Sequence, residues 1–207
     1  MKDTLAPDDD AGLVALSRQG DLAAFEQLVA KHQKKMFNIA FRISGDYDDA
    51  SENAQDAFVA AYRGIRDFRG DSKFSTWLTT ITMNQARNRL KQTQARQRHE
   101  VRSLDDPIEI GDGTMTVDPP SHAPSALDRL EQCDVGQSVQ KCIKALDQEF
   151  REVLVLRDMQ EFSYAEISAM LKVREGTVKS RLFRARESIK DCLKQALDRD
   201  MMPRKRS

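Results

Sequence analysis

Residues 103–128 form a stretch of this chain that cannot join a folded core. The stretch contains four of the six prolines, and all six of its charged side chains are carboxylates. Such a composition buries too little apolar surface to offset the entropy of ordering, so we expect an acidic, flexible linker. The 207 residues are therefore predicted to form two small domains, residues 1–102 and 129–200, with a short basic tail at 201–207.

Both segments beside the linker have the periodicity of α-helices. Up to about residue 100 there is no alternating strand pattern, and apolar residues recur at helical spacing. Gly20 ends one helix and Asp21 can cap the next, and Ser44-Gly45-Asp46 interrupts the pattern before a further helix begins. We predict an all-α fold with an N-terminal helical bundle. The residues expected to face inward are Leu22, Phe25, Leu28, Val29, Met36, Phe37, Ala40, Phe41, Ile43, Ala50, Ala54, Ala57, Phe58, Ala61, Ile65, Phe74, Trp77, Leu78 and Ile81.

The residues from Ser163 onward have the pattern of a helix-turn-helix. Ser163 and Glu166 form a capping-box sequence, and Phe162 can pack on Ile167 at the start of the first helix. A very short turn leads to a basic second helix, since residues 172–190 contain seven Lys or Arg and only two Glu. Such a helix usually enters the major groove of DNA, although a solvated basic face is the alternative. We favour DNA binding by a C-terminal four-helix domain.

The polar face of this second helix contains the candidate DNA contacts. Lys179 and Arg184 can pair with guanine acceptors, whereas Arg181 and Arg186 are better placed for phosphates. Periodicity places Phe183 on the packing face, but its assignment to the core or to DNA stays open.

A second candidate nucleic-acid surface lies between residues 68 and 91. A polar loop around Phe68 precedes a helix whose later turns mix cations with amides, among them Asn84 and Asn88. Aromatic rings and cations together suit single-stranded nucleic acid. Trp77 has the spacing of a core residue and is assigned to the core. For Phe68 and Asn84 the physical argument leaves core and binding roles open.

Four motifs stand in a fixed order around the acidic linker. They are QDAFVAAYR at 55–63, FRGDSKFSTWL at 68–78, MNQARNRL at 83–90 and GTVKSRLFRARE at 176–187. With these motifs the chain resembles, over nearly its whole length, the extracytoplasmic-function sigma factors, which are two-domain initiation subunits of bacterial RNA polymerase. The chain departs from the family pattern at Lys172, where Gly is frequent, and at Asn53, where an apolar residue is usual.

The resemblance implies three binding surfaces. One acidic helix face would dock on a coiled coil of the largest polymerase subunits, and its residues are Asp49, Glu52, Gln55 and Asp56. The following loop and helix would capture flipped bases of the minus-ten element, with Arg87, Arg89 and Lys91 on flanking phosphates. The candidates there are Phe68, Arg69, Ser72, Asn84, Arg87, Asn88 and Lys91. The basic helix would read the minus-thirty-five element, through Arg174, Thr177, Lys179, Ser180, Arg181, Phe183 and Arg184.

The resemblance also implies a role and partners. The chain would bind core RNA polymerase and promoter DNA, duplex and single-stranded, help to melt the promoter, and be held by an anti-sigma factor in a stress response. We expect no enzymatic activity, because no nucleophile–base pair, phosphate-binding glycine loop or metal-ligand cluster is recognisable. We likewise expect no cofactor, metal or small-molecule substrate, and a monomer outside these complexes.

Charge and cysteine content limit the cellular setting. The formal net charge is +0, but acidic and basic residues are segregated, and local fields steer binding. Cys133, Cys142 and Cys192 lack the spacing of a zinc site or a disulfide framework and are interpreted as reduced. With no leader pattern and no long apolar run, the chain is expected to be cytoplasmic and not inserted in a membrane.

Two other functions fit parts of the pattern. A stand-alone helix-turn-helix regulator with a helical sensing or dimerisation domain predicts dimers and a palindromic site. A protein-interaction module that only displays basic helices predicts no sequence preference. The sigma-factor interpretation instead predicts a one-to-one complex with core polymerase.

Overall fold

All regular structure is helical in the part of the chain that the computed structural model describes. That part comprises residues 9–100 and 126–200, with side chains described for 9–93 and 136–196. Its α-helices are α1 (Ala11–Arg18), α2 (Leu22–Ser44), α3 (Tyr47–Gly64), α4 (Phe74–Glu100), α5 (Ala126–Ala145), α6 (Gln148–Leu154), α7 (Tyr164–Leu171) and α8 (Glu175–Asp200). A 3₁₀ turn, Ile65–Asp67, follows α3, and a π-helical turn, Val155–Met159, extends α6. The all-α prediction is confirmed.

The helices form two groups of four, α1–α4 and α5–α8. Most of the predicted linker, 103–125, and the tail at 201–207 lie outside the described residues, while 126–128 form the first turn of α5. None of the described helices combines the length and hydrophobicity needed to cross a membrane.

The first group is the predicted N-terminal bundle. Asp21 and Asp46 cap α2 and α3, each accepting a backbone N–H, at 3.1 and 2.9 Å respectively. Gly45 ends α2 at φ 72°, a left-handed conformation that glycine adopts without strain. The residues predicted to face inward are buried or half-buried, with one exception. Leu22 is 55% exposed, because it is the first residue of α2 and lies beyond the packed face, so that prediction was wrong.

The second group contains the predicted helix-turn-helix, α7 and α8. The Ser163 hydroxyl accepts the Glu166 N–H at 3.2 Å, and the Glu166 carboxylate accepts the Ser163 N–H at 2.9 Å, which confirms the capping box. Phe162 and Ile167 are both buried in the core, as a hydrophobic staple requires. Lys172 ends α7 at φ 55° and ψ 43°. A lysine therefore adopts here the left-handed conformation that glycine usually provides.

The interpretation of all three cysteines as reduced is wrong for two of them. Cys142 of α5 and Cys192 of α8 form a disulfide, with their Cα atoms 5.8 Å apart. The two residues are 50 positions apart in the sequence, so spacing gave no indication of the pair. The bond ties the first helix of the second group to the basic helix. The side chain of Cys133 lies outside the described residues.

The two groups of helices also pack against each other. Helix α2 contacts α5 and α6, and a single cluster of buried apolar side chains includes members of both groups. Arg151 of α6 is buried at this contact. Its guanidinium donates to the Ile43 carbonyl at the end of α2 at 2.5 Å and to the Ile143 carbonyl at 3.1 Å. The sequence predicted two domains joined by a linker, and the structure adds an interface between them.

Candidate nucleic-acid interface

The turn before α8 and its first half present most of the predicted minus-thirty-five side chains to solvent. The exposed members are Arg174, Lys179, Ser180, Phe183 and Arg184, and the half-buried ones are Thr177 and Arg181. The opposite face of α8 is packed, with Val178, Leu182 and Ala185 buried. A recognition helix needs this division, because one face must anchor it while the other enters the groove.

Phe183 lies on the solvent side of α8. Its side chain is 68% exposed, so the prediction that it belongs to the packing face was wrong. The core positions 178, 182 and 185 define the buried stripe, and residue 183 lies about 100° around the helix from 182, outside that stripe. The ring is therefore available to an apolar feature of a base edge, such as a thymine methyl group.

The arginines of α8 differ in whether they form ion pairs with carboxylates of the same chain. Arg181 pairs with Glu149, and Arg186 donates to both carboxylate oxygens of Asp158, at 2.6 and 2.9 Å. The hydrogen bond to Asp158 raises the pKa of Arg186. Among the described residues Arg184 has no ion-pair partner, which leaves its guanidinium available for another acceptor.

The predicted polymerase-binding face of α3 is exposed. The side chains of Glu52 and Asp56 are 65% and 50% exposed. Gln55 is also exposed and Asp49 is half-buried. Arg89 of α4 donates to Asp56 at 2.6 Å and also pairs with Glu52. These hydrogen bonds, to Asp56 first, raise the pKa of Arg89 and partly neutralise the acidic face.

The predicted minus-ten residues occupy two environments. Arg69 in the loop and Asn84, Asn88 and Lys91 on α4 are exposed, and Ser72 is half-buried. The three α4 positions follow each other at spacings of four and three residues, so they share one face of the helix. Arg87 is half-buried and forms a two-point ion pair with Glu152 of α6.

Phe68 is not a free stacking surface in this structure. It is only 8% exposed and belongs to the apolar core. Its ring centroid lies 4.9 Å from that of Trp77 and 6.2 Å from that of Phe74. Of the two roles that the sequence left open for Phe68, this packing favours the core, and it fixes the loop that precedes α4. Trp77, assigned to the core, is half-buried in the same aromatic group.

Asn53 is a residue whose contribution the sequence did not reveal. It is 2% exposed on the inner face of α3, which settles the register of that helix. When the Asn53 amide is turned so that its nitrogen faces Thr82 and its oxygen faces Ala86, it donates to the Thr82 carbonyl at 3.2 Å and accepts the Ala86 N–H at 2.6 Å. These backbone groups lie on α4 immediately around Asn84. The acidic helix α3 is thus bonded to α4, the helix whose exposed amide face consists of Asn84 and Asn88.

Chemically, the three surfaces suit binding. Within the described residues no group of His, Cys, Asp or Glu side chains is arranged to hold a metal ion.

Comparison with known proteins assigns both helical groups. Residues 28–96 match the family model for Sigma-70 region 2, and residues 136–189 match the model for Sigma-70, region 4. The RNA polymerase sigma-H factor of Pseudomonas aeruginosa is 34% identical over 93% of this chain and 98% of the relative. The chain belongs to the extracytoplasmic-function sigma factors. The sigma-E factor of Escherichia coli K12 is 35% identical over 87% of this chain and 92% of its own.

Two solved structures share the arrangement of helices. RpoE from Bartonella quintana, in complex with the anti-sigma factor NepR, gives a TM-score of 0.60 at 25% identity, over 82% of this chain and 96% of the other. CnrH, in complex with the cytosolic domain of CnrY, gives a TM-score of 0.60 at 26% identity, over 90% and 97%. As a sigma factor, the chain is a transcription initiation factor.

Proposed function

We propose that this sigma factor uses three surfaces, two to recognise promoter elements and one to bind core polymerase. The observation that supports the proposal is the exposed N-terminal half of α8, where Lys179, Phe183 and Arg184 face solvent above a buried apolar stripe. Docked in the major groove, Lys179 and Arg184 pair with guanine acceptors, and Phe183 contacts an apolar base feature. Arg174, Thr177 and Ser180 complete the minus-thirty-five surface.

The amide face of α4 serves the minus-ten element. Asn84 and Asn88 are exposed one turn apart, so they can hydrogen-bond the edges of unpaired bases. Extruding a base costs a few kcal/mol, and contacts to its edge and to neighbouring phosphates offset that cost. Arg69, Ser72, Arg87 and Lys91 surround this face and supply the polar and phosphate contacts. Strand opening is then selected by sequence.

The acidic face of α3 binds core polymerase. Glu52, Gln55 and Asp56 project from one exposed face, which suits a basic helical partner such as a coiled coil of the largest subunits. We also propose control by an anti-sigma factor, because RpoE, a similar protein, was solved with NepR. The protein is proposed to work in the cytoplasm, where RNA polymerase acts, and to be a monomer when free.

Co-migration with purified core polymerase tests this proposal. The wild-type chain is expected to form a one-to-one complex, and a Glu52→Lys, Asp56→Lys double variant to bind about tenfold more weakly, because two attractive contacts become repulsive. Asp191→Lys, a reversal of an exposed acid on α8, is the matched control and should bind as the wild type does. Dimers that bind a palindromic duplex without polymerase would instead support a stand-alone regulator.

A further inference from the structure

Two ion pairs within the second helical group engage arginines of α8. Arg181 pairs with Glu149, which lies in the first turn of α6. Arg186 donates through Nε and Nη2 to the two carboxylate oxygens of Asp158, at 2.9 and 2.6 Å respectively. Asp158 lies in the π-helical turn that extends α6. Each of the two arginines is therefore bonded to a carboxylate on the neighbouring element.

The two arginines border the surface that is proposed to enter the major groove. The buried stripe of α8 contains Val178, Leu182 and Ala185. At about 100° per residue, Arg181 and Arg186 stand about 70° to either side of the centre of that stripe. A helix that fills the major groove has a phosphate backbone along each of its flanks. Both side chains therefore lie where phosphates come within reach, and neither faces the base edges.

The carboxylates occupy the donors that a phosphate needs. Arginine binds carboxylate and phosphate groups through the same parallel N–H donors, so one guanidinium edge cannot serve both at once. The side chains of Glu149 and Asp158 are 49% and 30% exposed, so both pairs lie at the surface where DNA would approach. A phosphate reaches either arginine only by displacing a carboxylate that is already bonded to it.

The cations proposed to read bases are not engaged in this way. Arg184 has no ion-pair partner among the described residues. The ammonium of Lys179 lies 5.5 Å from the ring centroid of Tyr164, a cation–π contact, and it pairs with no described carboxylate. The chain thus neutralises the arginines at the phosphate positions and leaves the cations at the base positions available.

We propose that Glu149 and Asp158 are specificity-determining residues, because each keeps its arginine off the phosphate backbone and so lowers the affinity of α8 for DNA of any sequence. The inference rests on the proposed minus-thirty-five role of α8. Phosphate contacts supply nearly all of the non-specific affinity, whereas base-edge contacts supply discrimination. Restraining the phosphate contacts while leaving the base contacts intact raises the ratio of promoter binding to binding elsewhere in the genome.

Two independent variants free one arginine each. Glu149→Gln and Asp158→Asn remove the carboxylate charge and nearly keep the shape of the side chain. Asp191→Asn is the matched control, because it removes the same charge from an exposed position of α8 that forms no ion pair among the described residues. Two double variants, Glu149→Gln with Arg181→Ala and Asp158→Asn with Arg186→Ala, remove the freed cation again. The full-length proteins are titrated by fluorescence anisotropy against a fluorescein-labelled duplex pool of randomised sequence, at several salt concentrations.

Relative to Asp191→Asn, each single variant is expected to bind the pool about two- to fivefold more tightly at low salt, the range that one exposed ion pair contributes. The plot of log affinity against log salt concentration should also be steeper by about 0.9, the value of one added phosphate contact. Both gains should vanish in the double variants. The proposal is overturned by affinity and slope equal to those of the control, by a change in only one of the two measures, or by a gain that persists without the arginine.

Transcription by the wild-type chain with core polymerase separates this inference from the proposed function. If the chain directs no start sites while affinity and slope change as expected, the minus-thirty-five role is wrong and the restraint on the two arginines stands. If transcription starts at defined sites while affinity and slope equal those of the control, only this inference fails.

Discussion

With the Asn53 amide turned so that its oxygen faces Ala86, that oxygen accepts the backbone N–H of Ala86 at 2.6 Å and bonds the acidic helix α3 to α4. We predict that Asn53→Ala lowers the free energy of unfolding by about 1–2 kcal/mol, because a buried hydrogen-bonding side chain is lost and a gap remains. Asn53→Val should recover most of this loss, since the valine side chain fills the gap and brings no buried polar group that needs a partner. Urea unfolding measures both values. Equal destabilisation by the two variants would contradict this account.

Arg184 is predicted to contribute sequence preference. Arg184→Ala should reduce discrimination at particular upstream base pairs by about 1–3 kcal/mol, because a bidentate base contact is lost. Lys190→Ala, at an exposed cation six residues further along α8, is the matched control and should weaken binding evenly across sequences. Transcription from a set of promoters with single upstream substitutions gives the ratios. Unchanged ratios with Arg184→Ala would remove it from the recognition surface.

Asp10 is predicted to make the free energy of unfolding depend on pH in the acidic range. Burial raises the pKa of its carboxyl, but hydrogen bonds from Lys31 and His32 outweigh burial and hold the pKa below its ordinary value. Because the pKa of Asp10 is lower in the folded chain than in the unfolded chain, the ionised carboxylate stabilises the fold at any pH above the unfolded-state pKa. This contribution is lost as the pH falls through the folded-state pKa. Asp10→Asn should cost about 1–2 kcal/mol at neutral pH.

The difference in the free energy of unfolding between the wild type and Asp10→Asn should shrink below about pH 4, because there Asp10 becomes protonated in the unfolded wild-type chain. Thermal unfolding from pH 7 to pH 3 measures it. A difference that stays constant over this whole range would show that the carboxylate charge is unimportant.

The disulfide between Cys142 and Cys192 is predicted to stabilise the C-terminal domain. Closing a loop of 50 residues restricts the unfolded chain, and such a bond contributes about 2–4 kcal/mol. Reductant should therefore lower the unfolding temperature of the wild type and leave Cys142→Ser unaffected. Mass spectrometry after thiol alkylation identifies the bonded residues, and alkylation of both cysteines in the unreduced protein would contradict the assignment.

Local structure was predictable from the sequence because it depends on neighbouring residues. Asp21 and the Ser163–Glu166 capping box mark helix starts through bonds within one turn. Periodicity likewise predicted the buried faces of α3 and α4. It failed at Phe183, where an apolar side chain stands on the exposed face of a recognition helix and the pattern cannot distinguish a binding residue from a core residue.

The contacts between domains were not predictable. Arg151 and Glu152 look like ordinary charges in the sequence QEFREVL, yet both are buried, and each bonds one residue more than 60 positions away, Ile43 and Arg87 respectively. The same holds for the disulfide between Cys142 and Cys192. The lysine itself gives no preference for the left-handed conformation that Lys172 adopts at the end of α7; the closure of the turn requires it, at a position where Gly is frequent in the family.

The central claim is that this chain directs core RNA polymerase to promoters, and multiple-round transcription tests it most directly. Purified core polymerase is supplied with a library of templates randomised upstream of a reporter, with and without the chain, and the transcripts are sequenced. We predict that the chain produces defined start sites preceded by two fixed elements, one near minus ten and one near minus thirty-five. Start sites that are the same with and without the chain would contradict the claim.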